Sequence, residues 1–396
     1  MSSGVLQEIK RFNAGRNERL VQLKIQKMRV SAFAFFRGTD HLFASHWNDL
    51  RLSLPGPPVL SCGDLHLENF GVYRTIDGDF RYEVNDFDEA ALLPCGFDLV
   101  RFTASLLLAG EEWKLTPLQT SRICLRYLDA YSRTVTDAVR DSRAGEIGPG
   151  SGHGAVEELL DKVARASPRE FLDEFTEKIK GDRRIIRDPE KRPAVDDAEA
   201  KRVHKAVEAF GEQIGKAAAF QVQDVCGRIA GIGSLGVPRY LVLVKGEGTN
   251  DRCRLLDVKA VLPSAVAASG PSPQPAWKDE ADRVIGSQKR LQSRPPALLA
   301  PLVIDSQLYR IREMIPEENR AKIDRFQKKP EKLLNAVQTA ARLTAWMHYR
   351  GSEPTVHGLL ADWTAGSGID AVLAAAHRIA DETDRQHTEF VAELQR

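Results

Sequence analysis

The stretch that most constrains the fold is GIGSLGVPRYLVLV, residues 231–244. Gly231, Gly233 and Gly236 have the G-x-G-x-x-G spacing, best known from the strand–loop–helix turn of dinucleotide folds. That turn demands a helix directly after the glycines. Here the loop runs into Tyr240, Leu241, Val242, Leu243 and Val244, a β-rich apolar run. The glycines therefore join two strands, and the dinucleotide reading fails. AFQVQDVCGRIAGIG supplies the strand before the loop and RCRLLDVKAVL the strand after it. A Pro/Ala/Ser linker (PSAVAASGPSPQPA), one helix (DEADRVIGSQKRLQ) and a strand pair ending in SQLYRIREMIP complete a compact β-rich unit over 216–318.

What flanks this unit reads differently. Residues 1–60 are expected to be mostly helical, with ERLVQLKIQKM the clearest amphipathic stretch. Short strands follow in PVLSCGD, NFGVYRT and FRYEVNDFD, with Asp77-Gly78 as a hairpin turn. FDLVRFTASLLLAGEEW and LQTSRICLRYLDAYSRTV are helices. DSRAGEIGPGSGHG (141–154) and the charged GDRRIIRDPEKRP (181–193) are loops, and helices continue to about Ala219. From about Asn319 the chain is helical again. Leu333, Leu334, Val337, Ala340, Ala341 and Met347 recur at helical spacing, and Gly351 suits the C-terminal cap. The chain divides into 1–215, 216–318 and 319–396, an α+β arrangement whose 396 residues, 42% hydrophobic, suffice for a sizeable core.

Fifty-six basic residues against 55 acidic ones give a net charge of +1, so there is no electrostatic case for a nucleic-acid or membrane partner. The five cysteines are scattered without a C-x-x-C, which suggests neither a disulfide framework nor a zinc cluster. No run is long enough to span a bilayer, and a cytoplasmic location is expected.

Three motifs carry chemistry. In GDLHLEN, Asp64 and Asn69 stand five residues apart with His66 between them. An Asp that accepts a hydroxyl proton, followed at that spacing by a metal-binding Asn, is the pattern of a phosphoryl-transfer loop. Asp-x-His also opens metallophosphatase sites, but the further clusters such sites need, G-D-x-x-D and G-N-H-D/E, are absent. In VNDFDEA, Asp86 and Asp88 offer carboxylates across a hairpin from Asn69; magnesium favours such hard oxygens beside nucleotide phosphates. Asp86 is the favoured ligand and Asp88 the alternative. In LLDVKA, Lys259 lies on the strand after the glycine loop. Each motif has a plainer reading: an Asx turn, an ordinary hairpin, a solvated lysine. All three must be coincidences for the site to vanish.

On these residues the chain resembles the protein-kinase-like superfamily, closest in its loop to aminoglycoside phosphotransferases and choline kinases. Their pattern reads here as Cys62-Gly63-Asp64-Leu65-His66-Leu67-Glu68-Asn69, then Asp86-Phe87, then Asp98-Leu99. FAFFRGT, CGDLHLENFG, NDFDEA, GIGSLG and VKA together resemble the uncharacterised bacterial family called domain of unknown function 2252. The resemblance implies a two-lobed kinase-like fold with ATP and magnesium as cofactors and a hydroxyl-bearing acceptor. Asp64 would be the base, with His66 against the phosphoryl group or the loop, and Asn69 with Asp86 or Asp88 on the metal. Gly231, Gly233, Ser234, Gly236 and Lys259 would hold the phosphates, and Asp98 would brace the catalytic loop.

The order of parts departs from that pattern, because the catalytic loop precedes the glycine loop. Circular permutation accounts for this: a small β-rich lobe over 216–318 and a large helical lobe built from both ends of the chain. Cys62 replaces the usual His. The acid that should pair with Lys259 is not evident; Glu280 is near the start of its helix, and Gly286 stands where an acid is expected. This gap supports a second reading, a nucleotide-binding pseudokinase, and adenylyl transfer from the same site is a further alternative. Arg37, amid apolar neighbours, and the basic 181–193 stretch are candidates for an anionic ligand.

Overall fold

In the computed structural model of the chain, the described residues are 4–50, 56–247, 252–270, 273–316 and 329–396. The expected 318/319 boundary lies outside them. Four helices open the chain: α1 (Val5–Phe12), α2 (Glu18–Met28), α3 (Ala32–Gly38) and α4 (Asp40–Leu50). Asn17 and Ser31 cap α2 and α3 by accepting from Leu20 N and Ala34 N, both at 3.1 Å.

Four short strands follow: β1 (Pro58–Ser61), β2 (Phe70–Arg74), β3 (Phe80–Val84) and β4 (Ala91–Pro94). β2 and β3 form the expected hairpin, with Gly78 in the left-handed region at φ +91°. β4 is an addition to the expected elements. Its four-residue run is too short to signal by periodicity, and its antiparallel partner β1 lies some thirty residues upstream. The pairing Ser61↔Ala91 sets the loop after β1 beside the segment 85–90.

The helical region is centred on α5 (Gly96–Glu112), buried from Gly96 to Gly110. α6 (Pro117–Arg140) begins with a capping box between Thr116 and Gln119. α7 (Ala155–Arg165) and α8 (Pro168–Phe175) lead to a hairpin of β5 (Thr176–Ile179) and β6 (Asp182–Ile185). That hairpin corrects the expectation of a loop over 181–193. Arg183 on β6 is buried and donates to Asp173 of α8 at 2.7 Å, so its charge is met within the fold.

α9 (Asp197–Gln213) precedes β7 (Val222–Gly227), β8 (Arg239–Val244) and β9 (Arg254–Ala260). Then come α10 (Glu280–Leu291), β10 (Ala300–Ile304) and β11 (Gln307–Glu313). β7 to β11 form one antiparallel sheet in the order β10-β11-β9-β8-β7, and the glycine loop joins β7 to β8. Strand parity gives the sheet two unlike faces. On one, Tyr240, Val242, Val244, Leu256, Val258, Tyr309 and Ile311 pack in a core with Val203, Val207 and Phe210 of α9. The opposite face carries Arg239, Asp257, Lys259, Arg310 and Arg312, all buried. It is turned toward the strands β1–β4: Arg312 Nη1 donates to Asn85 O at 3.1 Å.

α11 (Pro330–Gly351), α12 (His357–Ala365) and α13 (Gly368–Glu393) return to the helical region, where α11 packs on α6 and α13 on α5. The architecture is mixed α+β, a large helical region with small antiparallel sheets. Among the described residues no helix is long and apolar enough to cross a membrane.

Candidate functional site

The loop after β1 is shaped by its glycine. Gly63 sits at φ +82°, and a Cβ there would run into the Glu89 carbonyl, so the loop lies directly on segment 85–90. Asn69 Nδ2 donates to the Asp64 carbonyl, which leaves the Asn69 amide oxygen for another partner. Glu68 N donates to His66 Nδ1 at 3.1 Å, and Asn85 N donates to Asn69 O at 2.9 Å. His66 thus supports the loop that holds Asp64 and Asn69.

Asp64 is met by a residue outside the sequence motifs. Arg101 of α5, fully buried, donates from Nε at 2.7 Å and from Nη2 to the single oxygen Oδ1. Its guanidinium lies over the rings of Phe36 and Phe43, 4.4 and 4.9 Å from their centroids. Burial pushes the Asp64 carboxyl up to about 6, against the opposing pull of Arg101, and Asp40 and Asp86 add to the rise.

The two acids of the NDFDEA stretch differ. Asp86 Oδ1 is buried without a hydrogen-bond partner. Asp88 bonds Lys259 and lies 3.5 Å from Arg310 Nε. Burial raises its carboxyl, but Lys259 and Arg310 outweigh that and hold it well below the usual range. Lys259 therefore takes its acid from the segment after β3. Glu280, the sequence candidate, bonds Arg283 at 2.6 Å instead, and Arg283 donates to Ala90 O at 2.8 Å.

Beside Lys259 the sheet carries a dense ionic cluster. Asp257 accepts from Arg239 Nε and Nη2 at 2.7 Å each and lies 3.1 Å from Arg228, 3.6 Å from Arg310 and 3.7 Å from Arg312. These cations hold Asp257 well below the carboxylate range despite its burial.

The glycine loop reaches this chemistry from the other side. A Cβ on Gly233 would stand 3.3 Å from Arg37 O and 4.0 Å from Asp64 Oδ2. Gly231 and Gly236 adopt φ +77° and +91°. The Gly233 carbonyl accepts from Lys24 Nζ at 2.9 Å and Arg16 Nη1 at 3.2 Å, and Gly236 O accepts from Asn17 N at 3.1 Å. Ser234 Oγ donates within the loop to Ala230 O at 3.3 Å. Arg37 pairs with Glu68 at 2.5 Å, which joins α3 to the loop of Asp64.

Asp98 braces from beneath: Cys62 Sγ lies 3.7 Å and His348 Nε2 3.3 Å from its Oδ2. Among the described residues no set of three or more His, Cys, Asp or Glu is gathered as a metal cage. Asn69 and the orphaned Asp86 oxygen fit a different kind of site, in which magnesium takes few protein oxygens and completes its shell with phosphate and water. A cavity of about 550 Å³ opens where the β2–β3 hairpin, α8 and the far end of the sheet meet, lined by Val72, Phe80, Phe171, Leu255 and Met314.

Strand alternation holds a signal for the residues outside the motifs. In QLYRIRE, Arg310 and Arg312 alternate with Tyr309 and Ile311, a charged face opposite an apolar one. Arg101, set between Val100 and Phe102 on the buried stretch of α5, is the same kind of signal.

Comparison with known proteins finds a family described as "Uncharacterized protein conserved in bacteria (DUF2252)", matching residues 16–393. No curated protein and no solved structure matches the chain.

Proposed function

The chain belongs to the DUF2252 family, and we propose that it is a magnesium-dependent phosphotransferase of kinase-like, circularly permuted fold that moves a phosphoryl group from ATP to a small-molecule hydroxyl. One observation carries this reading. Three segments distant in sequence meet at one place, with Gly233 beside Asp64, Asp88 on Lys259, and Arg312 on the carbonyl of Asn85.

In the proposed reaction the acceptor oxygen forms a bond to the terminal phosphorus as the bridging oxygen–phosphorus bond breaks. The hydroxyl proton passes to Asp64 Oδ2, the oxygen that Arg101 leaves open. A base near 6 suits proton transfer at neutral pH. Asn69 and Asp86 would hold magnesium, which when bound offsets the charge of the phosphates. Lys259 and the glycine loop would hold the phosphate chain.

The test is a thermal-shift and turnover series with magnesium and ATP. Stabilisation by ATP that needs magnesium and is lost in Asp86→Ala, with turnover abolished in Asp64→Asn, is the expected result. Turnover unchanged in Asp64→Asn would remove Asp64 from its role. The ties of Asp64 to Arg101 and of Lys259 to Asp88 favour a second reading, nucleotide binding without turnover. Binding without turnover in the unaltered chain would select it.

A further inference from the structure

The cations of the sheet's charged face exceed the carboxylates that meet them. Arg239, Lys259 and Arg310 stand side by side on three adjacent strands, in the registers Arg239↔Lys259 and Arg310↔Lys259. Neighbouring strands lie ~4.8 Å apart, so the row is ~10 Å wide. With Arg312, and with Arg228 at the sheet edge 3.1 Å from Asp257, this makes five cations, and among the described residues the carboxylates they meet on this face are Asp257 and Asp88. Asp86 adds a more distant negative charge that acts on Arg239 and Arg312. Asp257 gives both oxygens to Arg239. Arg310 Nη1 and Arg312 Nε, both buried, reach it only at 3.6 and 3.7 Å and make no hydrogen bond. Buried donors in this state are prepared for an anion with more oxygens than the chain supplies.

Asp88 differs from the groups it meets. It lies in the irregular segment between β3 and β4 and its side chain is 25% exposed, whereas Lys259 and Arg310 are fixed on strands and almost fully buried. We propose that the row Arg239–Lys259–Arg310, with Arg312, is a subsite for the phosphate chain of a polyphosphorylated ligand, and that Asp88 occupies it as a substitute anion which the ligand displaces. The inference rests on the reading that this site receives phosphates, and it assigns Asp88 to competition with the ligand rather than to the metal.

The probe is inorganic tripolyphosphate, titrated calorimetrically into the full chain with EDTA present so that metal coordination plays no part. An occupied site lowers apparent affinity by the fraction of molecules in which it is free, so Asp88→Asn is expected to bind at least ~tenfold more tightly than the unaltered chain. Arg310→Gln, which keeps the Lys259–Asp88 pair, is expected to bind at least ~tenfold more weakly; it tests the subsite if Asp88→Asn fails to fold. Unchanged binding by Arg310→Gln overturns the subsite. Equal or weaker binding by folded Asp88→Asn overturns the substitute-anion role while leaving the phosphotransferase reading. Binding by none of the three proteins overturns the subsite and the substitute-anion role together, while the magnesium-dependent ATP series above tests the phosphotransferase reading separately. Comparing ATP with tripolyphosphate then separates a nucleotide from a plain polyphosphate as the ligand.

Discussion

Replacing Arg101 with methionine tests how Asp64 is held. The substitution keeps an unbranched stem against Phe36 and Phe43 and deletes the donors to Asp64 Oδ1. Removing one member of a buried ion pair costs ~3–5 kcal/mol. Asp64 keeps 21% of its side chain exposed, which places the loss near ~3 kcal/mol at neutral pH. The pH dependence has a definite sign. Asp64 lies at about 6 against an ordinary 3.8, so the folded chain holds a proton there that the unfolded chain has already released. Its contribution is present below the unfolded value and is lost as pH rises through about 6, on the order of 3 kcal/mol. Without Arg101 the folded value climbs further and the loss extends above that window. Urea denaturation at pH 5 and pH 8 is the assay. The variant should lose ~3 kcal/mol at pH 8 and clearly less at pH 5, where a proton substitutes for the guanidinium. Adding Asp64→Asn should recover most of the loss at pH 8. Equal losses at both pH values, or no recovery in the double variant, would show that the Arg101 guanidinium does not hold the Asp64 charge.

Asp257→Asn should destabilise the sheet by ~3–5 kcal/mol, because it removes the charge around which four arginines are buried; denaturant midpoints measure this. Gly63→Ala should cost more than ~2 kcal/mol, since it combines positive φ with a collision against the Glu89 backbone. Gly233→Ala should lower the melting temperature modestly and weaken ATP binding, because its Cβ would stand 3.3 Å from the Arg37 carbonyl and 4.0 Å from Asp64 Oδ2. Lys24, pushed down to about 7 from 10.5 by burial, should make stability rise with pH between those values, because only the unfolded chain keeps the proton there. Lys24→Met should flatten that rise in melts recorded from pH 7 to pH 10.

Local signals reveal much of this molecule. Alternating residues and Asp77-Gly78 mark the β2–β3 hairpin, and the strand after GIGSLG marks the loop as a strand-to-strand connection. What stays hidden depends on contacts between distant segments. The bond between Asp88 and Lys259 spans 171 residues, and no spacing rule reaches that far. β4 is four residues long and is made by its partner rather than its propensity. Arg101 is visible as a charge between Val100 and Phe102, but what it meets is decided by how α5 lies against the loop at Asp64.

The anchoring of the glycine loop has a dynamic consequence. Lys24 and Arg16 both grip the Gly233 carbonyl, and Asn17 grips Gly236. Among the described residues the other acceptor for Lys24 is Asn13 Oδ1, at 3.2 Å. Lifting the loop would therefore leave a buried lysine under-satisfied or draw α2 along with it. If phosphates enter beneath this loop, as proposed, its opening is coupled to local unfolding of the first helices. Amide exchange in α2 should then slow when the proposed phosphate site is filled, although its backbone lies on a different part of the chain from every residue proposed to bind phosphate.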